Sequence, residues 1–304
     1  MNEMKATVQT LPGAAIIERS RFAVISDLVK ARLTFLVLLT TLVGFYAGIR
    51  GTVDWLLLLH TMMGTALVAG GAAALNQYLE RDLDALMHRT EDRPLPSGRM
   101  QPGTVLLVGG LCCAMGLIQL AVAVNLLTSL LGGITLASYL LVYTPLKRIT
   151  TLNTVVGAIP GALPPLMGWA AARGEVSSAG WSLFAILFFW QLPHFLAIAW
   201  IYRDDYARAG FKMLPVVDPK GERTGRQAVS HTLGLLTVSL APFVFRIAGP
   251  AYLAGALVFG ACYWWSAVQF SRRLSIPSAR RLFYVSILYL PLLLVLMVLD
   301  KVKN

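Results

Sequence analysis

Charge is what this chain has least of. Only 13% of its 304 residues are Asp, Glu, Lys or Arg, against about a quarter in soluble domains. A chain of this length has ample material for a soluble core, so small size does not account for the deficit. Cysteine is scarce too. The three present, Cys112, Cys113 and Cys262, lie inside apolar runs, with neither metal-ligand spacing nor the pattern of a disulfide framework. They read as packing residues. Residues 1–32 lack an apolar signal-peptide core, so no cleavable signal is expected and the first spanning helix serves as its own anchor. Glu3 and Glu18 speak against an organelle transit peptide. Ala15 to Arg32 is expected to lie along the membrane interface as an amphipathic helix.

Hydrophobic length is abundant. A helix crosses a bilayer with about 20 mainly apolar residues. Nine such runs fall near 33–50, 54–78, 104–124, 126–144, 152–172, 180–201, 228–246, 249–270 and 282–299. The expected fold is all-α, an integral membrane bundle of nine transmembrane helices. Residues 1–32 form a cytoplasmic N-terminal segment and 33–304 a single membrane domain. The net charge of +11 would suit nucleic acid, but its distribution follows topology. With a cytoplasmic N-terminus, 21 of the 26 Lys and Arg residues fall in cytoplasmic segments, as the positive-inside rule requires. The C-terminus is then extracytoplasmic, and nucleic acid is excluded as a partner. In the fifth run, Gly157, Pro160, Gly161, Pro164 and Pro165 should bend or break the helix. That suits either a kinked packing helix or a cavity wall.

The carboxylates are not scattered. Nine of fifteen lie in two cytoplasmic loops, 79–103 and 202–227, which topology does not explain, because acids contribute little to it. Two opposed polar stations over a helical bundle are expected. In the first, Asn76, Glu80 and Asp84 are spaced i, i+4, i+8. On a continuous helix they share one face, about 6 Å apart along the axis. Such a row suits Mg2+, which takes one or two carboxylates and completes its shell with water and phosphate. A solvated helix end with i,i+4 ion pairs is the bland alternative, and spacing alone leaves both open. Asn76, however, lies within an apolar run, where polar residues are functional candidates by default. Arg81 lies within the row, and Arg89 and Arg93 come close behind; guanidinium groups match phosphate oxygens. Topology would account for any one of them, though not for their place beside the acids. The second station holds His194, Asp204, Asp205, Arg208 and Lys212. A third basic cluster, Lys147 and Arg148, either joins the site or only marks topology. A lone histidine near a helix end is most often a hydrogen-bonded packing residue.

At these residues the chain resembles a known family. The run "NQYLERDLDALMHRTEDRPLPSGR" from Asn76 to Arg99 is similar to the first aspartate-rich motif of the UbiA-type intramembrane prenyltransferases. Together with "YTPLKR", "GAIPGALPPLMGW", "WQLPHFLAIAWIYRDDY" and "AGFKMLPVV", it most resembles the branch that farnesylates protoheme IX. The likeness runs from about residue 25 to the last helix, with its motifs in order. It implies nine helices around a central cavity with cytoplasmic cap loops, in a bacterial inner membrane. It also implies farnesyl diphosphate and heme b as substrates, membrane lipid as surroundings and a downstream heme A synthase as partner. Mg2+ would be held by Asn76, Glu80, Asp84 and Asp204. The diphosphate and acceptor would be bound by Arg81, Arg89, Arg93, Lys147, Arg148, His194, Asp204, Asp205, Arg208 and Lys212; His194 would ligate iron or orient a substrate. Two positions depart from the family pattern. Glu80 stands where Asp is usual, and Asp204 is followed four places on by Arg208 rather than by a second Asp. The competing readings are a prenyltransferase with a quinone-precursor ring as acceptor, an ion-coupled transporter, and a heme carrier without catalysis.

Overall fold

The structure, a computed structural model, describes residues 20–302. The expected interfacial helix falls partly on 15–19, outside the described residues. The first described element is α1 (Arg21–Leu28), capped by the Ser20 side chain, which accepts from the Ala23 amide. Lys30 ends it by adopting a left-handed backbone, φ 47°, and the first span starts there rather than continuing one helix.

The spans come in order: α2 (Ala31–Gly48), α3 (Trp55–Asp84) and α4 (Pro102–Ala123). The next comprises α5 (Leu126–Ala137), a π-helical turn over Ser138–Tyr143, and α6 (Thr144–Ile149). Then come α7 (Asn153–Arg173) and α8 (Ser178–Ile201). Two short helices, α9 (Arg203–Arg208) and α10 (Leu214–Val217), cap the bundle. The last spans are α11 (Glu222–Val238), extended by α12 (Ala241–Val244), α13 (Pro250–Arg273) and α14 (Ile276–Leu299). Among the described residues nine helical segments are long and apolar enough to cross a membrane. The chain is a multi-pass membrane protein of the all-α class. Phe35, Leu107, Val122, Leu141 and Leu288 stand exposed, as side chains facing acyl chains would.

Without a hydrophobic drive between helices in lipid, close approach depends on small residues. Gly64 and Gly71 of α3 face Gly116 and Gly109 of α4. A Cβ at Gly116 would come within 2.8 Å of the Gly64 carbonyl oxygen. Between α2 and α7 the fit is tighter still: a Cβ on Gly44 would land on the Pro165 backbone, and one on Gly168 on the Thr41 carbonyl. α7 packs on α2, α5 and α8, and α8 in turn on α11 and α14, so α7 and α8 form the spine. The prolines of α7 do not break it; it stays helical from Asn153 to Arg173. Gly157, Pro160, Gly161 and Pro164 line a cavity, so its irregular composition serves a wall.

At the end remote from the Asp84 terminus of α3, Lys301 closes the bundle. Its ammonium donates to the Tyr46 and Ile49 carbonyls at 2.6 and 3.0 Å and lies over the Tyr46 ring. It thereby ties the last described residues to the end of α2.

Candidate active site

α3 runs unbroken through Asp84, so Asn76, Glu80 and Asp84 do share a face. All three are buried, at 1%, 4% and 1% exposure, and line a cavity of about 460 Å³. Asp82, two places off that row, points outward beside Arg81. Buried carboxylates need partners, and each has one. The Lys147 ammonium donates to both Glu80 oxygens, at 2.7 and 2.9 Å. Arg93 Nη1 donates to Asp84 Oδ2 at 2.6 Å. The Asn76 amide donates to Glu80 and to the Thr144 hydroxyl, and its oxygen accepts from Lys30 Nζ at 2.8 Å. Burial, reinforced by the nearby Arg93 and Lys147 charges, pushes the Lys30 ammonium down to about 7. The outcome is an alternation of acids and cations along one part of a largely apolar chamber.

The π-helical turn brings α6 into this site. It carries Tyr139 and Tyr143, stacked at 5.8 Å, and leads into Thr144 and Lys147. π turns recur at functional sites. Lys147 Nζ lies over the Tyr143 ring at 4.6 Å, with Phe211 beside it. The segments 79–103 and 202–227 meet beside it: Arg89 donates to the Tyr206 hydroxyl at 3.1 Å and lies over the Tyr202 and Tyr206 rings.

Seven of the residues singled out from sequence line the cavity: Asn76, Glu80, Asp84, Arg89, Arg93, Lys147 and His194. Six do not. Arg81 pairs with Asp82 and donates to the Tyr78 carbonyl. Arg148 is exposed. Asp204 is exposed beside Arg203, and Asp205 pairs with Arg208. The short helix α9 turns Tyr206 toward the cavity and these acids away from it. Lys212 is likewise exposed, but its backbone is structural. Its amide donates to the Lys147 carbonyl at 2.7 Å, and its carbonyl accepts from Asn153. That seats Phe211 and Met213, rather than the lysine, against the cavity. So the second segment brings aromatic and apolar cover in place of a second acidic station. Asp218 is buried as a turn-former, accepting from the Thr224 amide and hydroxyl.

Sequence reasoning missed Lys30, Tyr139, Thr144 and Gln191. Lys30 was hidden among topological charges. Gln191, a polar residue in mid-run, carried the signal that found Asn76.

The donor set is one of hard oxygens: two carboxylates and an amide. Among the described residues no three His, Cys, Asp or Glu side chains group to hold a metal. Mg2+ commonly completes a donor set of one or two carboxylates with water and phosphate.

Comparison with known proteins identifies the family. Residues 37–292 match the model of the UbiA prenyltransferase family. A protoheme IX farnesyltransferase from Solibacter usitatus is 48% identical, covering 90% of this chain and 97% of its own. One from Myxococcus xanthus is 42% identical, covering 99% and 100%. Among solved structures, a digeranylgeranylglyceryl phosphate synthase superposes with a TM-score of 0.79 over 93% of this chain and 99% of its own, at 14% identity. A UbiA homolog from Archaeoglobus fulgidus bound to GPP and Mg2+ gives 0.64 at 17% identity, over 90% and 99%.

Proposed function

Because the chain belongs to the UbiA prenyltransferase family, we propose that it transfers the farnesyl group of farnesyl diphosphate to a vinyl group of heme b, with addition of water, giving heme O and diphosphate. One observation carries the reading most directly. A buried row of Asn76, Glu80 and Asp84, interleaved with Lys30, Lys147 and Arg93, lines part of a largely apolar cavity. That is a polar seat for a diphosphate with an apolar chamber for its chain. The heme acceptor draws its support from the relatives named protoheme IX farnesyltransferase rather than from the site's geometry. A transporter is disfavoured, since coupling carboxylates sit near mid-membrane and these lie at the end of α3.

Glu80, Asp84 and the Asn76 amide oxygen fit Mg2+ and would hold it. Bound there, the ion supplies neutralising charge for the leaving diphosphate. Lys30, Arg93 and Lys147 are placed to grip phosphate oxygens, with Arg89 at the rim. As the C–O bond breaks, the Arg93 and Lys147 cations meet negative charge where it develops, with no reorganisation. Tyr139, Tyr143 and Phe211 cover the chamber and keep bulk water from the allylic cation. Orientation obeys the charge bias: N-terminus and acid site cytoplasmic, C-terminus outside, in a bacterial inner membrane, the product passing to a heme A synthase.

The test incubates purified protein with heme b, farnesyl diphosphate and Mg2+. Heme O is expected by chromatography and mass spectrometry; its absence while both substrates bind would sink the proposal. Asp84→Asn should lower turnover by about a hundredfold or more with insertion into membranes unchanged.

A further inference from the structure

Gln191 and His194 stand one turn apart on α8, and both line the cavity. Their hydrogen bonds fix which of their atoms face it. The Gln191 amide nitrogen donates to the Leu187 carbonyl at 3.0 Å and to the Ala158 carbonyl at 3.4 Å. Both are acceptors only, so the NH2 end is determined, and Oε1 is left without a donor among the described residues. Gln191 is 5% exposed, and its oxygen lies against Gly161, where a Cβ would collide with it.

The surroundings of His194 favour one tautomer. Its Nδ1 lies 2.7 Å from the Ser286 hydroxyl. That hydroxyl has one proton, donated to the Phe283 carbonyl at 2.5 Å. With the Ser286 proton on that carbonyl, Ser286 accepts from Nδ1–H and Nε2 keeps its lone pair. The ring is held between Trp190 and Phe283, at 5.1 and 5.0 Å. Neither Gln191 Oε1 nor His194 Nε2 has a hydrogen-bond partner among the described residues, and both remain accessible from the cavity.

Residues three apart on a helix are neighbours, so the α8 wall offers two adjacent acceptors. They match a guest that donates twice. A farnesyl chain donates nothing, and carboxylates of the acceptor would be repelled. Water fits. We propose that Gln191 Oε1 and His194 Nε2 hold the water that adds to the acceptor, an assignment that rests on the heme-farnesylation reading above. With both hydrogens turned to the protein, its oxygen lone pair faces the chamber. The chemistry balances. Farnesyl C1 leaves diphosphate with the bonding pair remaining on oxygen, and bonds the terminal vinyl carbon. The positive charge passes to the vinyl carbon attached to the porphyrin. The held water forms its C–O bond there and gives one proton to His194 Nε2. Without a held water, the same cation loses a proton from the adjacent CH2 and yields an alkene lighter by one water.

The readout is therefore the ratio of hydrated to dehydrated product, by mass spectrometry, which is independent of total turnover. The full chain is assayed with heme b, farnesyl diphosphate and Mg2+. Wild type should give heme O. Gln191→Leu and His194→Phe, which keeps the aromatic stack, should shift most product to the lighter alkene. His194→Gln, which restores an acceptor, should return the hydrated product. If Gln191→Leu does not accumulate folded, His194→Phe carries the same test. Heme O as the only product of these variants would overturn the assignment, as would loss of all product with both substrates still bound. So would a shifted Soret band of bound heme in His194→Phe with the product still hydrated, since His194 would then be an iron ligand. No heme O from wild type would instead defeat the parent reading.

Discussion

Glu80 is 4% exposed and shares both oxygens with Lys147. Such a pair does not stabilise a fold strongly, because desolvating both ions offsets their attraction, yet breaking it strands a buried charge. Lys147→Met should therefore lower thermal stability in detergent by about 3–5 kcal/mol. The double variant Glu80→Gln/Lys147→Met should recover most of that loss in a melting experiment while remaining inactive. Recovery of activity as well would mean that neither charge serves the diphosphate. Asn76 joins the network as the residue through which Lys30 is tied to Glu80, since its amide bonds both. The row Asn76, Glu80, Asp84 was legible in the sequence because helical spacing converts directly into a shared face. Lys147 was visible only as one basic residue among several. Its partner lies 67 residues away, and only the packing of α6 on α3 reveals the pair.

Among the elements, α7 shows how composition and environment trade places. Three prolines inside 21 residues were expected to bend or break it, yet it stays helical from Asn153 to Arg173. Its glycines are used for proximity: Gly168 against α2, Gly157 against the Tyr143 ring, Gly161 against Gln191. Gly168→Ala would force α2 and α7 apart at the Thr41 carbonyl, and overpacking of this kind costs about 1–3 kcal/mol. A lower melting temperature with a wider cavity and slower turnover is expected; an unchanged melting temperature would show that the contact has slack. The nine spans were legible from length alone, and most observed bounds fall close to the apolar runs. The exceptions have local causes. α3 continues past its apolar stretch to Asp84 because its acids are satisfied by cations. The seventh span starts earlier, at Glu222, on the turn that Asp218 stabilises, and the ninth at Ile276, behind the Ser275 capping box. What composition did not convey was that Asp204 and Asp205 stay off the cavity, the first exposed and the second paired with Arg208. A six-residue helix has no periodicity long enough to reveal which face is covered.

The whole molecule is asymmetric from end to end. One end carries loops, charges and the site; the other is joined by Lys301 to the carbonyls of α2. Lysine at a helix C-terminus meets both unsatisfied carbonyls and the negative end of the dipole. Lys301→Ala should lower the melting temperature, at about 1–3 kcal/mol for the lost charge-assisted bonds, and leave the ratio of products unchanged. A changed ratio would mean that this clasp reaches the acceptor wall through α14, which carries Ser286.

The π turn at Ser138–Tyr143 has a consequence for tolerance to deletion. Each residue of an α-helix advances the face by about 100°. A π turn absorbs one surplus residue, so the helix beyond it keeps its phase, and Thr144 and Lys147 still meet Asn76 and Glu80. Removing one lipid-facing residue within the turn, Leu141, which is 73% exposed, should convert it to ordinary α-helix with both flanks still in phase. This deletion variant is expected to insert and retain measurable heme O formation. Deleting Ala162 from α7, which has no surplus to give up, should abolish it. Equal loss in both would show that the turn widens the chamber wall and holds no spare residue. If the deletion is tolerated, a single missing codon in this span would be survivable where elsewhere in the bundle it is not.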